Sequence, residues 1–71
     1  MRGYEDELQQ VERHVREGRK HIARQYQIIA EFKSKGFPTD DAEEMLNTLV
    51  DLQRQHEEHL AYVRKKLGLA K

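Results

Sequence analysis

The sequence predicts an all-α protein, an antiparallel hairpin of two helices that dimerises into a four-helix bundle. Three observations predict it: two apolar stripes with the heptad spacing of a coiled coil, a short break between them, and further apolar residues beside both stripes. The first stripe contains Leu8, Val11, Val15, Gly18, Ile22, Gln25, Ile29 and Phe32. The second contains Ala42, Met45, Leu49, Leu52, His56, His59 and Val63.

The break between the stripes marks the turn of the hairpin. Gly36 suits the left-handed backbone position that follows a helix, and Pro38 prevents the first helix from continuing. If Gly36 takes that position, Phe32 and Phe37 are the residues whose side chains meet in a Schellman motif. The chain is therefore predicted to be a single helical-hairpin domain (1–71), with a helix at about 3–35, a turn at 36–39 and a helix at about 40–67.

A turn this short makes the two helices antiparallel neighbours. Pairing Phe32 with Ala42 or Met45 places apolar residues opposite each other along both helices, and it sets Gly18 opposite His56. The flanking apolar residues, among them Tyr26, Ile28, Leu46, Leu60, Tyr62 and Leu67, predict an apolar face wider than one hairpin needs. We therefore expect a second copy to cover it. The predicted interface comprises Leu8, Val11, Val15, Gly18, Ile22, Ile29, Leu46, Leu49, Leu52, His56, Leu60 and Val63.

The composition disfavours several classes of protein. Thirteen basic and thirteen acidic side chains give a net charge of zero, whereas nucleic-acid binders usually carry a basic excess. The sequence has no apolar segment near the roughly 18 residues that span a bilayer, and no signal-peptide pattern. It also has no cysteine, which excludes disulfides and thiolate metal sites. We expect a cytoplasmic protein that binds neither nucleic acid nor membrane.

The four histidines are the side chains best suited to a chemical role. His56 and His59 fall on the predicted seam, while His14 and His21 lie one heptad apart beside the first stripe. Three interpretations remain open. The histidines can fill a structural polar layer with glutamines of the seam, they can form a layer that responds to pH, or they can bind a divalent metal ion. The metal candidates are His21, His56 and His59, and no cofactor is otherwise expected.

Known catalytic patterns are missing. No glutamate stands three residues before any of the four histidines, as di-iron carboxylate bundles require. The segment His56-Glu57-Glu58-His59 is one residue shorter than the zinc-hydrolase pattern. The only serine, Ser34, falls at the predicted end of a helix. We therefore predict that the protein is not an enzyme.

Four parts of the sequence together resemble a group of small bacterial helical-hairpin proteins. They are the stretch from Val11 to Ala30 (VERHVREGRKHIARQYQIIA), Gly36, the segment from Thr39 to Leu46, and His56 with His59. The resemblance covers about two-thirds of the chain and implies the fold, since no activity is assigned to that group. It places Gly18, His21, Gln25, Gly36, Thr39, His56 and His59 in the common pattern.

These observations predict a homodimeric interaction or regulatory module that acts on a partner protein. The alternative is a small metal-binding or pH-sensing protein that uses the histidine layer. A third interpretation, nucleic-acid binding, would use the basic cluster of Arg13, Arg16, Arg19, Lys20 and Arg24. Pairing of that cluster with the acidic stretch at 51–58 explains it more simply.

Overall fold

The computed structural model describes residues 3–68, and the side chains of residues 6–68. It contains α1 (Gly3–Ser34) and α2 (Asp40–Lys66), packed side by side in a rod of 53 × 17 × 17 Å. Lys66 lies 3.3 Å from Glu7 at the opposite end of the chain, so the helices run antiparallel and the predicted all-α hairpin is confirmed. Each helix ends one residue before its predicted boundary. In the described range, neither helix combines the length and apolar content needed to cross a bilayer.

A Schellman motif ends α1, as the glycine in the turn predicted. Gly36 has a φ of 75°. The amides of Gly36 and Phe37 donate to the carbonyls of Lys33 and Phe32, at 3.1 and 2.8 Å. The two phenylalanine rings meet edge to face, with centroids 5.8 Å apart. This closed turn directs the chain back along α1.

The charges at the two ends of α2 favour its direction. Thr39 precedes the first turn, and its hydroxyl donates to the Glu43 carboxylate at 2.9 Å. The first turn is acidic and the last turn is basic, which complements the partial charges of a helix dipole. The residues concerned are Asp40, Asp41 and Glu43 at the start, and Arg64, Lys65 and Lys66 at the end.

The heptad-spaced residues of α2 that face α1 in the seam are not all the predicted ones. Met45 and Leu52 are 51% and 44% exposed, and His59 is exposed, so their placement in the seam was wrong. The row one residue further along replaces them: Leu46, Gln53, Leu60 and Leu67. The seam's buried residues are Val11, Val15, Gln25, Ile29, Ala42, Gln53 and Val63. Its half-buried members include Leu8, Gly18, Ile22, Leu49 and His56.

This rotation of α2 gives the hairpin two different long faces. The histidine face carries the heptad rows His14, His21, Ile28 and Met45, Leu52, His59, with Leu49 and His56 between them. The charged face carries the rows Glu12, Arg19, Tyr26, Lys33 and Glu43, Val50, Glu57, Arg64. The flanking apolar residues are divided between these faces, with Ile28 on the first and Tyr26 on the second. The single wide apolar face expected from the sequence is therefore not formed.

Candidate functional site

A groove of about 310 Å³ lies in the middle of the histidine face. Both helices contribute side chains to its lining. Its lining consists of His14, Glu17, Gly18, His21, Leu49, Leu52, Gln53 and His56. Three of the four histidines thus border one opening, together with two leucines and a single acidic residue.

Gly18 makes room for Gln53 at the floor of this groove. A Cβ at Gly18 would overlap the Gln53 Oε1 atom and lie 2.8 Å from its Cδ. Gln53 is 7% exposed, and its Nε2 donates to the Val15 carbonyl at 2.8 Å and to the Glu57 carboxylate at 3.2 Å. The expectation that Gly18 faces His56 was therefore wrong. The residue opposite Gly18 stands almost one helical turn earlier in α2.

Gln25 makes the reciprocal bond from α1 to α2. Its Nε2 donates to the Ala42 carbonyl at 2.8 Å, and the side chain is 8% exposed. Each helix thus sends one buried carboxamide to a backbone carbonyl of the other helix. Each carboxamide reaches one particular carbonyl, and sliding one helix along the other would break both bonds. The two bonds therefore help to set the register of the hairpin. The two bonds lie ten residues apart along α1, at Val15 and Gln25, so the glutamines do not share one polar layer with the histidines.

Two buried polar atoms of the groove have no hydrogen-bond partner in the described chain. They are Oε1 of Gln53 and Nδ1 of His56. Leaving a buried polar group unpaired costs about 1–3 kcal/mol. Both residues line the groove, so its floor contains a buried acceptor and a buried ring nitrogen that the described chain leaves unpaired.

His14 and His56 form the closest pair of histidines across the helices. Their ring centroids are 5.6 Å apart, and the rings are tilted by 38°. From the sequence, His14 stands beside the first stripe, and the metal candidates are His21, His56 and His59. In the structure, the ring near His56 is that of His14, while Gly18 faces Gln53.

The predicted trio of His21, His56 and His59 is not assembled. His21 and His56 line the groove, but the His59 ring stacks on Tyr62, with centroids 6.4 Å apart. Among residues 6–68, no three histidine, aspartate or glutamate side chains stand ready to hold a metal ion. A metal site built from that trio is therefore excluded from the candidate arrangements.

The charged face holds two ion pairs that join the helices. Arg19 lies 3.9 Å from Glu57, and Arg64 lies 3.3 Å from Glu12. All four side chains are more than a third exposed, so each pair contributes at most about 1 kcal/mol. The pair between Arg19 and Glu57 links the basic cluster of α1 to the acidic stretch of α2. Arg13, Arg16, Lys20 and Arg24 of that cluster are exposed.

Comparison of the chain with protein-family models, with curated proteins and with solved structures found no match. The function is therefore inferred from the geometry of the chain itself.

Proposed function

We propose that the protein is a non-enzymatic interaction module whose chains pair through their histidine faces into a homodimeric four-helix bundle. The observation that carries this proposal is the apolar middle of that face. From 14 to 28 in α1 and from 45 to 59 in α2, its two rows contain histidine, isoleucine, methionine and leucine. Its charges are Glu17 at the border of the groove and the ion pair of Glu7 with Lys66 at one end. A face of this kind gains free energy when a second apolar surface covers it.

The small core of the hairpin supports a second layer. Only five apolar side chains in the described range are less than a tenth exposed: Val11, Val15, Ile29, Ala42 and Val63. Two helices lying side by side shield each other along one line, so a chain of this size gains little from its own core. A facing hairpin would bury the leucines and the methionine that now border the groove.

Charge favours a second copy as the occupant. In a two-fold dimer the same face of both chains meets. A face rich in lysine, arginine and glutamate would therefore bring many charges into the interface, and each of them would need a partner. The middle of the histidine face carries fewer charges than the charged face, so pairing through it leaves fewer charges to satisfy.

This arrangement leaves the charged faces on the outside of the bundle. There the ion pairs of Arg19 with Glu57 and of Arg64 with Glu12 remain in water. We propose that this outer surface contacts a partner protein that the dimer scaffolds or regulates. Charged residues on an exposed surface favour selective and fast association.

Two matched substitutions test which face pairs. Leu52 on the histidine face and Val50 on the charged face are 44% and 43% exposed, and they point about 160° apart around α2. We expect Leu52→Glu to convert the dimer to a monomer in sedimentation velocity, because it buries a carboxylate against an apolar surface. Val50→Glu should leave the dimer unchanged.

Circular dichroism of both variants controls for folding, since an exposed position tolerates glutamate within a helix. The proposal is wrong if both substitutions weaken the dimer equally, or if Val50→Glu alone dissociates it. Either result would place the interface elsewhere than on the histidine face.

A further inference from the structure

We propose that acidification separates the dimer, because protonated histidines of the two chains meet at the centre of the interface. This inference rests on the proposed function, since it names what regulates pairing through the histidine face. The groups concerned are His14, His21 and His56, the three histidines that line the groove. Histidine is the side chain whose ordinary pKa, about 6.5, lets its charge change between about pH 5 and pH 8.

The groove lies at the mid-length of both helices. Gly18 and Gln53 meet at its floor, and they stand in the middle of α1 (Gly3–Ser34) and α2 (Asp40–Lys66). Two rods that overlap fully along the same face have their midpoints together, whether the hairpins run parallel or antiparallel. A two-fold dimer through the histidine face therefore sets one groove against the other in either orientation. The three imidazoles of one chain then meet the three of its partner.

One carboxylate stands among these imidazoles. Of the described residues that line the groove, Glu17 is the one that carries a charge when the histidines are neutral. It lies three residues after His14 and four before His21, so it can offset one protonated ring on α1. With all three histidines protonated, each groove holds three positive charges against one negative charge. Dimerisation would place two such grooves together, and like charges that face each other across an interface oppose association.

The contacts of His56 add to this repulsion. Its ring centroid lies 5.6 Å from that of His14 on the facing helix, so protonation of both rings places two positive charges side by side. Two apolar side chains, Leu49 and Leu52, complete the lining beside them. A covering hairpin replaces water with apolar surface here, and electrostatic repulsion is stronger where water is excluded.

The helix that carries His56 brings no acid to the groove within the described lining. Glu57, the next residue of α2, lies 3.9 Å from Arg19 on the charged face. His59 belongs to the same side of α2 as the groove, but its ring stacks on Tyr62 away from the lining. The groups that face His56 are therefore His14, Glu17 and His21 of its own chain and the same set of the second copy.

Solvent access gives the sign of the pH dependence. In the single chain His14 and His21 are exposed and His56 is half-buried, so water can stabilise their positive charges there. A second hairpin removes that water, and the dimer therefore binds fewer protons than two separate chains. Its dissociation constant rises as the pH falls. An imidazole of ordinary pKa that stays neutral in the dimer contributes about tenfold between about pH 7.5 and pH 5.5.

Sedimentation velocity of the wild-type protein at these two pH values, at constant ionic strength, tests the inference. Each histidine occurs twice in a two-fold dimer, so even one position that stays neutral raises the dissociation constant by about a hundredfold. We expect at least that increase at the lower pH. Carboxyl groups with ordinary pKa values of about 4 remain ionised there, so histidine is the group that titrates.

Glutamine variants assign the response to the groove. The combined variant His14→Gln/His21→Gln/His56→Gln keeps polar side chains that do not titrate, so its dissociation constant should be the same at both pH values. Each single substitution should reduce the wild-type response, which keeps the test informative where the combined variant pairs poorly. His59→Gln is the matched control and should respond like the wild type, because that ring stacks on Tyr62 outside the groove.

A wild-type dimer with the same dissociation constant at both pH values would overturn this inference and leave the proposed dimer standing. A wild-type monomer at the higher pH would refute the dimer and the inference together. A full response in the combined variant, or in all three single variants, would assign the pH dependence to other groups and contradict the inference. Loss of the response in His59→Gln would contradict it as well.

Discussion

At the residue scale, the contact between Gly18 and Gln53 explains why a glycine stands in the middle of a long helix. Glycine costs about 1 kcal/mol relative to alanine at such a position. Here it admits a buried carboxamide that donates to the Val15 carbonyl and to Glu57. The loss in helix propensity is thereby exchanged for a bond that helps to set the register of the hairpin.

Gly18→Ala should therefore destabilise the protein, by about 1–3 kcal/mol, although alanine is the better helix former. The added Cβ overlaps Oε1 and displaces the Gln53 carboxamide from its two acceptors. Urea unfolding followed by circular dichroism measures the change.

The matching experiment repeats Gly18→Ala in a Gln53→Ala background. Without the carboxamide, the added methyl group meets no obstacle, so it should stabilise the chain by about 1 kcal/mol through helix propensity alone. Equal effects of Gly18→Ala in the two backgrounds would show that Gln53 is not the reason for the glycine.

Single residues also show what the sequence cannot provide. The predicted pairing set Gly18 opposite His56, whereas the structure places Gln53 there. The sequence pattern did not separate the two, because His56 and Gln53 stand within one turn of each other in α2. The contact between His14 and His56 depends on this choice and so escaped prediction.

At the scale of the element, the turn is the part that the sequence predicts most completely. A glycine, a proline and two phenylalanines at fixed offsets define a Schellman motif by local rules, without reference to distant residues. The hydrogen bonds and the ring contact of Phe32 with Phe37 agree with that expectation.

Gly36→Ala should destabilise the hairpin by about 1–2 kcal/mol, the approximate cost of a left-handed backbone for a residue with a Cβ. No atom lies within 4 Å of that Cβ, so the cost comes from the backbone conformation alone. Gly36→Asn should cost less, since asparagine enters this region more readily. Thermal unfolding of both variants, with Ser34→Ala as a control, ranks them. The same loss for asparagine and alanine would contradict this explanation.

The rotation of α2 about its own axis is the feature that local rules leave open. The rows that begin at Met45 and at Leu46 both repeat every seven residues, and they point about 100° apart. Both contain leucines, so the apolar pattern alone does not choose between them. The choice follows from contacts between the helices, above all the two buried glutamine bonds.

At the scale of the whole molecule, the two faces differ in how their polar groups are satisfied. Over the charged face, Arg19 and Glu57 pair across the helices, and so do Arg64 and Glu12. Over the histidine face, the central groove keeps two buried polar atoms without partners in the described chain. The proposed dimer would cover the second face and leave the first in water.

Sedimentation equilibrium of the wild-type protein tests this view most directly. The histidine face predicts a dimer whose mass is independent of protein concentration over a broad range. It also predicts little change between about 0.1 M and about 1 M NaCl, since salt screens charged contacts and strengthens apolar ones. A monomer at every concentration, or a dimer that dissociates in high salt, would contradict pairing through the histidine face.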